Sequence, residues 1–321
     1  MKRVLSGVQP SGRVHLGNYL GAIRQHIEMQ KDFECFLFIA DLHALTTIKS
    51  AEQMRTLTHE LAVTYLALGL DPKKTVFFRH SDLSELTELC WIFDCITTMP
   101  FLERAHAWKD ALAKKKKEIT IGLFNYPVLM AADILIYQPD LIPVGQDQKQ
   151  HVEIARDIGQ NFNKIFGEVF KIPAPYIKKE VAVVPGTDGQ KMSKSYGNTI
   201  DIFADEATLK KQVMGIVTDS TPLEKPKDTK TCNVFKLYEL LATEKEIKSL
   251  AAKYKKGGFG YGDAKKLLLA KILSHFGPAR SHFAELLPQK DYIRQILKDG
   301  ATRAKIVAGA TLAQAKEKVG Y

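Results

Sequence analysis

The sequence lacks what would mark a secreted, metal-stapled or membrane-inserted chain. Its four cysteines, Cys35, Cys90, Cys95 and Cys232, include no C-x-x-C pair, so neither a zinc site nor a disulfide framework is indicated. Reduced, mostly buried thiols in a cytoplasmic protein are expected. The first residues lack the apolar stretch of a signal peptide, and no uncharged apolar run approaches the ~20 residues that span a bilayer. A cytoplasmic location with no membrane partner follows as the expectation. Neither G-x-G-x-x-G nor G-x-x-x-x-G-K-[ST] occurs, which removes the two commonest phosphate-binding turns. Internal repeats and low-complexity tracts are also missing.

What is there is the composition of a folded protein: 321 residues, 45% apolar and 26% charged. That length predicts two domains, or one with a sizeable appendage. The formal net charge of +10 favours a polyanionic partner such as nucleic acid without identifying one.

Short apolar runs at 4–8, 35–40, 75–78, 141–144 and 181–184 alternate with segments of helical periodicity such as 54–68 and 84–96. The alternation predicts an α/β fold, a Rossmann-like parallel sheet with crossover helices, in which ligands bind beyond the carboxyl ends of the strands. Those ends carry the oddest polar residues: Gln9, Pro10 and Ser11; Asp41 and His43; Gly145, Gln146, Asp147 and Gln148; and the loop "GTDGQKMSKSYGN" (186–198). Four loops are therefore expected on one edge.

Beyond about residue 200 the strand signals stop and helices are predicted at 206–216, 234–241, 264–275 and 301–319, interrupted by "KYKKGGFGYGD" (253–263). The reading is a catalytic domain at 1–200, a helical domain at 201–300 and a last helix at 301–321. In that helix Ala301, Ala304, Ala308, Thr311 and Ala315 form a stripe of small residues, expected to pack back onto the body.

Two stretches carry the chemistry. In "GVQPSGRVHLGN" (7–18) glycines sit where a strand turns into a helix, which lets the backbone approach a ligand, and unpaired N–H groups at the helix N-terminus would favour phosphate. A plain turn with a capping residue is the simpler alternative. In "KMSKS" (191–195), Lys191 and Lys194 with Ser193 and Ser195 lie between Gly186, Gly189 and Gly197. Two ammonium groups on a hinged loop can follow the charge that develops in phosphoryl or nucleotidyl transfer. Alone, that loop would read as a solvated surface.

Together these motifs resemble the two signatures of the class I aminoacyl-tRNA synthetases, here His15-Leu16-Gly17-Asn18 and Lys191-Met192-Ser193-Lys194-Ser195. Asn18 departs from the general signature, which ends in histidine, and matches the variant of the tryptophan-specific members.

"NYPVLMAADILIYQP" (125–139) predicts a helix from Pro127 that stops before Pro139. Tyr126, Met130, Asp133 and Tyr137 share one face, so a carboxylate sits in an apolar, aromatic stripe and needs a partner. Either a neighbouring basic or backbone group answers it, or a ligand does. An indole, flat with one N–H donor, would suit both the wall and the acid.

The segment closely resembles its counterpart in the tryptophan-specific synthetases, and the match continues through "PVGQDQKQHVEIARDI" (143–158) across the catalytic half. The resemblance implies that Gln9, Pro10, Ser11, Gly17, Asn18, Gly145, Gln146, Asp147, Val184, Lys191, Met192, Ser193, Lys194 and Ser195 contact ATP. It implies catalytic roles for Lys191, Lys194, Gln9 and Asn18. It also implies that Asp133 reads the indole, with Tyr126 and Met130 beside it, and that His43 and Gln148 lie near the substrate's amino and carboxyl groups. The sequence departs from its relatives at Gln146 and Ala107. ATP with Mg²⁺, L-tryptophan and tRNA(Trp) are the implied ligands, a homodimer the implied assembly, and no protein-held metal is expected. The alternatives are a tyrosyl-tRNA synthetase, which shares fold and signatures, and a catalytically inactive RNA-binding relative.

Lys114 to Lys117 read as a solvated loop or a tRNA phosphate contact. Trp91, Phe93 and Ile96 are expected in the core. His26, His59, His275 and His282 share no metal-ligand spacing.

Overall fold

Among the described residues five parallel strands form the sheet, in the order β3-β2-β1-β4-β5: β1 (Arg3–Val8), β2 (Glu34–Ile39), β3 (Val76–Arg79), β4 (Leu141–Pro143) and β5 (Ala174–Tyr176). The structure is a computed structural model that describes residues 1–113, 119–145, 149–176 and 183–321, without the side chains of Ala107 and Ala111. The chain winds from β1 outward to β3, then returns to the other side of β1 for β4 and β5. The order reverses between β1 and β4, so the carboxyl ends of those two strands flank the crevice where ligands of such sheets bind.

Four of the expected strands are present. The fifth differs: Val183 and Val184 lie outside any strand, Val181 and Ala182 are outside the described residues, and the edge strand is instead Ala174–Tyr176. Pro175 hid it in the sequence. A proline has no N–H to give, yet an edge strand tolerates one, and among the described residues β5 pairs with β4 alone.

Each face of the sheet has its own core. On one side Leu37, Ile39 and Phe77 pack with the Ala51–Ala67 helix, with Ile200, and with the later helices through Val234, Leu268, Phe276 and Leu297. On the other side Leu5, Phe36, Phe38 and Phe78 pack with the Glu85–Asp94, Ile121–Leu135 and Lys149–Phe166 helices.

The Tyr261–Leu286 and Lys290–Val319 helices are longer than their periodicity predicts, because Pro278 and Gly300 lie inside them. Gly300 has a reason to be there: a Cβ on it would lie 1.8 Å from the Phe77 carbonyl oxygen of β3. From that contact onward Ala301, Ala304, Ala308, Thr311 and Ala315 are buried, and Arg303 donates to the carbonyls of Pro72 and Thr75 at 2.6 Å. The last helix thus covers the exposed edge of β3.

Trp91 is not in the core. It is 67% exposed on the outer face of the Glu85–Asp94 helix, while Phe93, two residues on, is fully buried and Ile96 half-buried. The Lys114 to Lys117 run lies outside the described residues.

Candidate active site

The turn after β1 leads into a helix that runs from Leu16 to Met29, with a π-helical stretch at Tyr19–Ile23. His15 caps it. Its Nδ1 accepts the Asn18 N–H at 3.2 Å, and Asn18 Oδ1 accepts the His15 N–H at 3.2 Å, a reciprocal capping box. Burial pushes His15 down to about 4, helped by the nearby Lys194 charge, so the ring stays neutral and can accept.

The loop containing residues 191–195 docks on this turn. The Leu16 N–H donates to Ile200 O at 2.9 Å, His15 bridges Asp201, and the Gly17 N–H points at Met192 Sδ at 3.3 Å. The expectation of unpaired N–H groups at this helix start therefore fails: Leu16, Gly17 and Asn18 all have protein partners. Met192 is the weakest of them, a thioether being a poor acceptor. A Cβ on Gly12 would lie 3.4 Å from Lys194 Nζ, so Lys194 reaches over the turn while its side chain stays open to solvent. Partial burial of its ammonium lowers the Lys194 pKa, against a smaller opposing pull from Asp201.

Asn198 holds the loop's shape. It is 2% exposed, its Oδ1 accepts the Ser193 N–H at 2.8 Å, and its Nδ2 donates to Asp188 at 2.8 Å and to the Lys191 carbonyl at 3.1 Å. Gly186 makes room, since a Cβ there would lie 2.3 Å from the Asn198 amide. Lys191 and Ser195 are exposed, Ser193 half-buried, and Val184 and Met192 buried. This fourth loop reaches the edge by docking on the first turn, not by following a strand.

Beneath the turn lies a cavity of about 580 Å³ at the carboxyl ends of β1, β2 and β4. Gln9, Ser11, His43, Tyr126, Met130, Asp133 and Gly145 line it, as do Gly7, Phe38, Ala40, His26 and His151, which stand outside the residues expected at the site. Gly7 is the one with a readable signal, a glycine inside a strand. A Cβ there would lie 2.0 Å from the Phe38 ring, which crosses it on the neighbouring strand.

The helix bearing Asp133 starts earlier than expected, because Thr120 Oγ1 caps Leu123 at 3.3 Å and Pro127 is accommodated inside it. It ends at Leu135. Tyr137 consequently leaves the stripe and packs on Phe36 and Phe78, each 5.5 Å away between ring centroids. Tyr126 and Met130 stay at the cavity. Tyr126 bonds His151 Nε2 at 2.7 Å, and burial raises its phenol to about 12.

Asp133 is fully buried. His43 Nε2 lies 2.6 Å from its Oδ2, and His80 Nε2 lies 3.1 Å from its Oδ1. These three side chains bring ligand-type atoms within 4.8 Å of one another. A metal bonded at about 2 Å to both His43 and Asp133 would hold those atoms roughly 3 Å or more apart, so a 2.6 Å contact is a hydrogen bond and not an emptied metal shell. Gln146, Asp147 and Gln148 lie outside the described residues, and Pro10 is buried under the turn.

Residues 1–277 match the family of class I tRNA synthetases (W and Y). The chain is 50% identical to the tryptophan–tRNA ligase of Fusobacterium nucleatum over all of this chain and 98% of that protein. It is 49% identical to the Campylobacter jejuni enzyme of the same name, over 99% of each. Among solved structures it is similar to Campylobacter jejuni tryptophanyl-tRNA synthetase complexed with ADP and tryptophan, with TM-score 0.95, 48% identity, 99% of this chain and all of that one covered. The Mycoplasma pneumoniae enzyme follows at TM-score 0.84 and 30% identity, over all of this chain and 98% of that one. With one signature loop docked on the turn that carries the other and relatives matched along their whole length, the chain belongs to the class I tRNA synthetases of the tryptophan and tyrosine group.

Proposed function

We infer that the protein is a tryptophan–tRNA ligase, activating L-tryptophan with ATP and passing it to tRNA(Trp). The carrying observation is the cavity walled by Phe38, Tyr126 and Met130 around one buried carboxylate, Asp133. An indole offers the flat apolar surface and the single N–H donor that such a site accepts, whereas a phenol needs further polar partners. That the Campylobacter jejuni relative is complexed with ADP and tryptophan supports the same pair of ligand types here.

In the first step the tryptophan carboxylate attacks the α-phosphorus of ATP, forming the mixed anhydride as the bond to pyrophosphate breaks. In the second a terminal ribose hydroxyl of tRNA attacks the acyl carbon and AMP leaves. The substrate brings its own nucleophile, so the protein's work is alignment and charge stabilisation. Gln9, Pro10, Ser11, Gly145 and the Gly17-Asn18 turn would position ATP, with Asp147, Gln146 and Gln148 completing the set. Lys194 and Lys191 would meet the charge on the departing pyrophosphate. Mg²⁺ would arrive with ATP, held by phosphates and water; Asp201, the carboxylate beside Lys194, is already engaged by the Phe203 N–H at 2.9 Å.

The division of labour would follow the chain: activation in residues 1–200, tRNA contact on the anticodon side in 201–300, and residues 301–321 supporting the body. Trp91, 67% exposed, lines a groove between the Glu85–Asp94 and Ile121–Leu135 helices, and Ile121, 82% exposed, opens the second of them beside Gly122 of the same groove. Burial of that face would form a homodimer, which sedimentation equilibrium measures directly.

The deciding experiment is ATP–pyrophosphate exchange with each of the twenty amino acids. Exchange with tryptophan alone is expected. Exchange with tyrosine would make this the sister enzyme, and none at all would leave an inactive RNA-binding relative.

A further inference from the structure

His80 has no part in the sequence motifs, yet it is the best-enclosed polar side chain of the site. It follows β3 in a short 3-10 turn, is 0% exposed, and stands behind the cavity wall next to Asp133. Its ring stacks on Phe38 with centroids 3.9 Å apart and planes 18° apart. Asp41 locks the turn, its Oδ1 accepting the Ser81 N–H at 3.0 Å and its Oδ2 the Ser81 hydroxyl.

Among the described residues neither ring nitrogen of His80 has a hydrogen-bond partner, and Asp133 Oδ1, 3.1 Å from His80 Nε2, lacks one too because the angle is poor. Burying an unsatisfied polar ring is costly, and an apolar side chain would fill the same space without that cost. Burial holds the ring neutral, at about 4, so it has one N–H to give. A small turn of the carboxylate about its soft terminal torsion brings Oδ1 into line with Nε2.

We propose that His80 is a positioning residue: with His43 on Oδ2 and His80 on Oδ1, the Asp133 carboxylate is held in the one plane that aims a lone pair at the N–H of the substrate's indole. The two imidazoles come from the ends of adjacent strands, and the acid from the helix packed beneath them. Each oxygen keeps a lone pair after accepting once, so the clamp orients the acceptor without filling it. This rests on Asp133 being the indole acceptor.

The test compares pyrophosphate exchange with L-tryptophan and with the analogue whose benzothiophene sulfur replaces the indole N–H. In His80→Leu the ratio of the two kcat/KM values should fall about tenfold, through tryptophan alone, as expected for one lost hydrogen bond to a charged group. His80→Gln, with an amide nitrogen near the Nε2 position, should recover most of it. His80→Asn, polar but reaching only the Nδ1 position, should lose it, and keeps the question answerable if the leucine variant does not fold. An equal loss on both substrates would mean that His80 only packs, and an unchanged ratio would overturn the proposal as well. Asp133→Ala, which removes the acceptor altogether, separates the two readings. If it leaves the ratio intact, Asp133 is not the acceptor; if it collapses the ratio while the His80 variants keep it, only the role of His80 is wrong.

Discussion

The two ends of the candidate site are built on opposite principles. At the Asp133 end the acid and the two imidazoles beside it are buried: His43 bonds Asp133, His80 lies 3.1 Å from it, and Phe38 stacks on His80. At the Lys194 end the charged side chains are exposed, and only the loop's skeleton is buried, through Met192 and Asn198. Recognition of a neutral ring gains from a fixed, dry wall, where a mispaired donor costs most. Stabilising charge that appears only during the reaction asks instead for ammonium groups that can move with it. The Met192 contact fits this, because an N–H to thioether bond is one a phosphate oxygen could replace at little cost.

The comparison breaks most visibly at Lys194. Lys194→Ala should slow adenylate formation by on the order of a hundredfold to a thousandfold, with tryptophan affinity little changed. Single-turnover formation of adenylate beside equilibrium tryptophan binding measures both. Loss of binding with the chemical step intact would make the loop a clamp and erase the contrast.

At the other end the split should reverse. Asp133→Ala leaves the indole donor unpaired and should cost about 1–3 kcal/mol in kcat/KM for tryptophan. The analogue without the N–H should lose far less, and an equal loss for both would deny Asp133 its recognition role.

Asn198→Ala sharpens the picture from inside the loop, since it removes the hub while leaving both lysines in place. A drop of about tenfold in the rate of adenylate formation is expected, the worth of one buried hydrogen-bonding group, with Lys194 then contributing less in the double variant than alone. Strict additivity of the two changes would show that Asn198 does not act through the loop.

The smallest effect concerns stability. Burial pushes His15, His26 and His80 each down to about 4. Their folded values lie below the usual 6.5, so the unfolded chain takes up protons that the native chain refuses. Stability from this source is complete above pH 6.5 and declines as pH falls toward 4. His26, held by Ser6 at 2.8 Å and Tyr65 at 3.0 Å, stands at the cavity's rear. Urea midpoints from pH 7 to 4 should fall in the wild type and fall less steeply in His26→Gln; parallel slopes would remove His26 from the account.

Much of the fold was legible because a parallel sheet leaves a local record. Runs such as 35–40 are short and continuously apolar where both faces are buried, and helices between them repeat at i, i+3, i+4. The docking partners were legible only as motifs. That 7–18 and 191–195 belong together is carried by resemblance; that Met192 meets Gly17, 175 positions away, is a property of the fold. β5 was invisible because three residues around a proline leave no pattern, and Trp91 misled because an apolar helix position does not say whether core or open surface faces it.

By itself the sequence determined the alternating sheet and helices, the two signature loops and the buried acid at Asp133, all of which depend on residues near one another in the chain. Tertiary structure alone decided what surrounds that acid. His43, His80 and Asp133 lie just beyond the ends of β2 and β3 and near the C-terminal end of a later helix, and no periodicity links positions 43, 80 and 133. They meet because parallel strands deliver their carboxyl ends to one edge, where the Ile121–Leu135 helix brings the acid against both imidazoles.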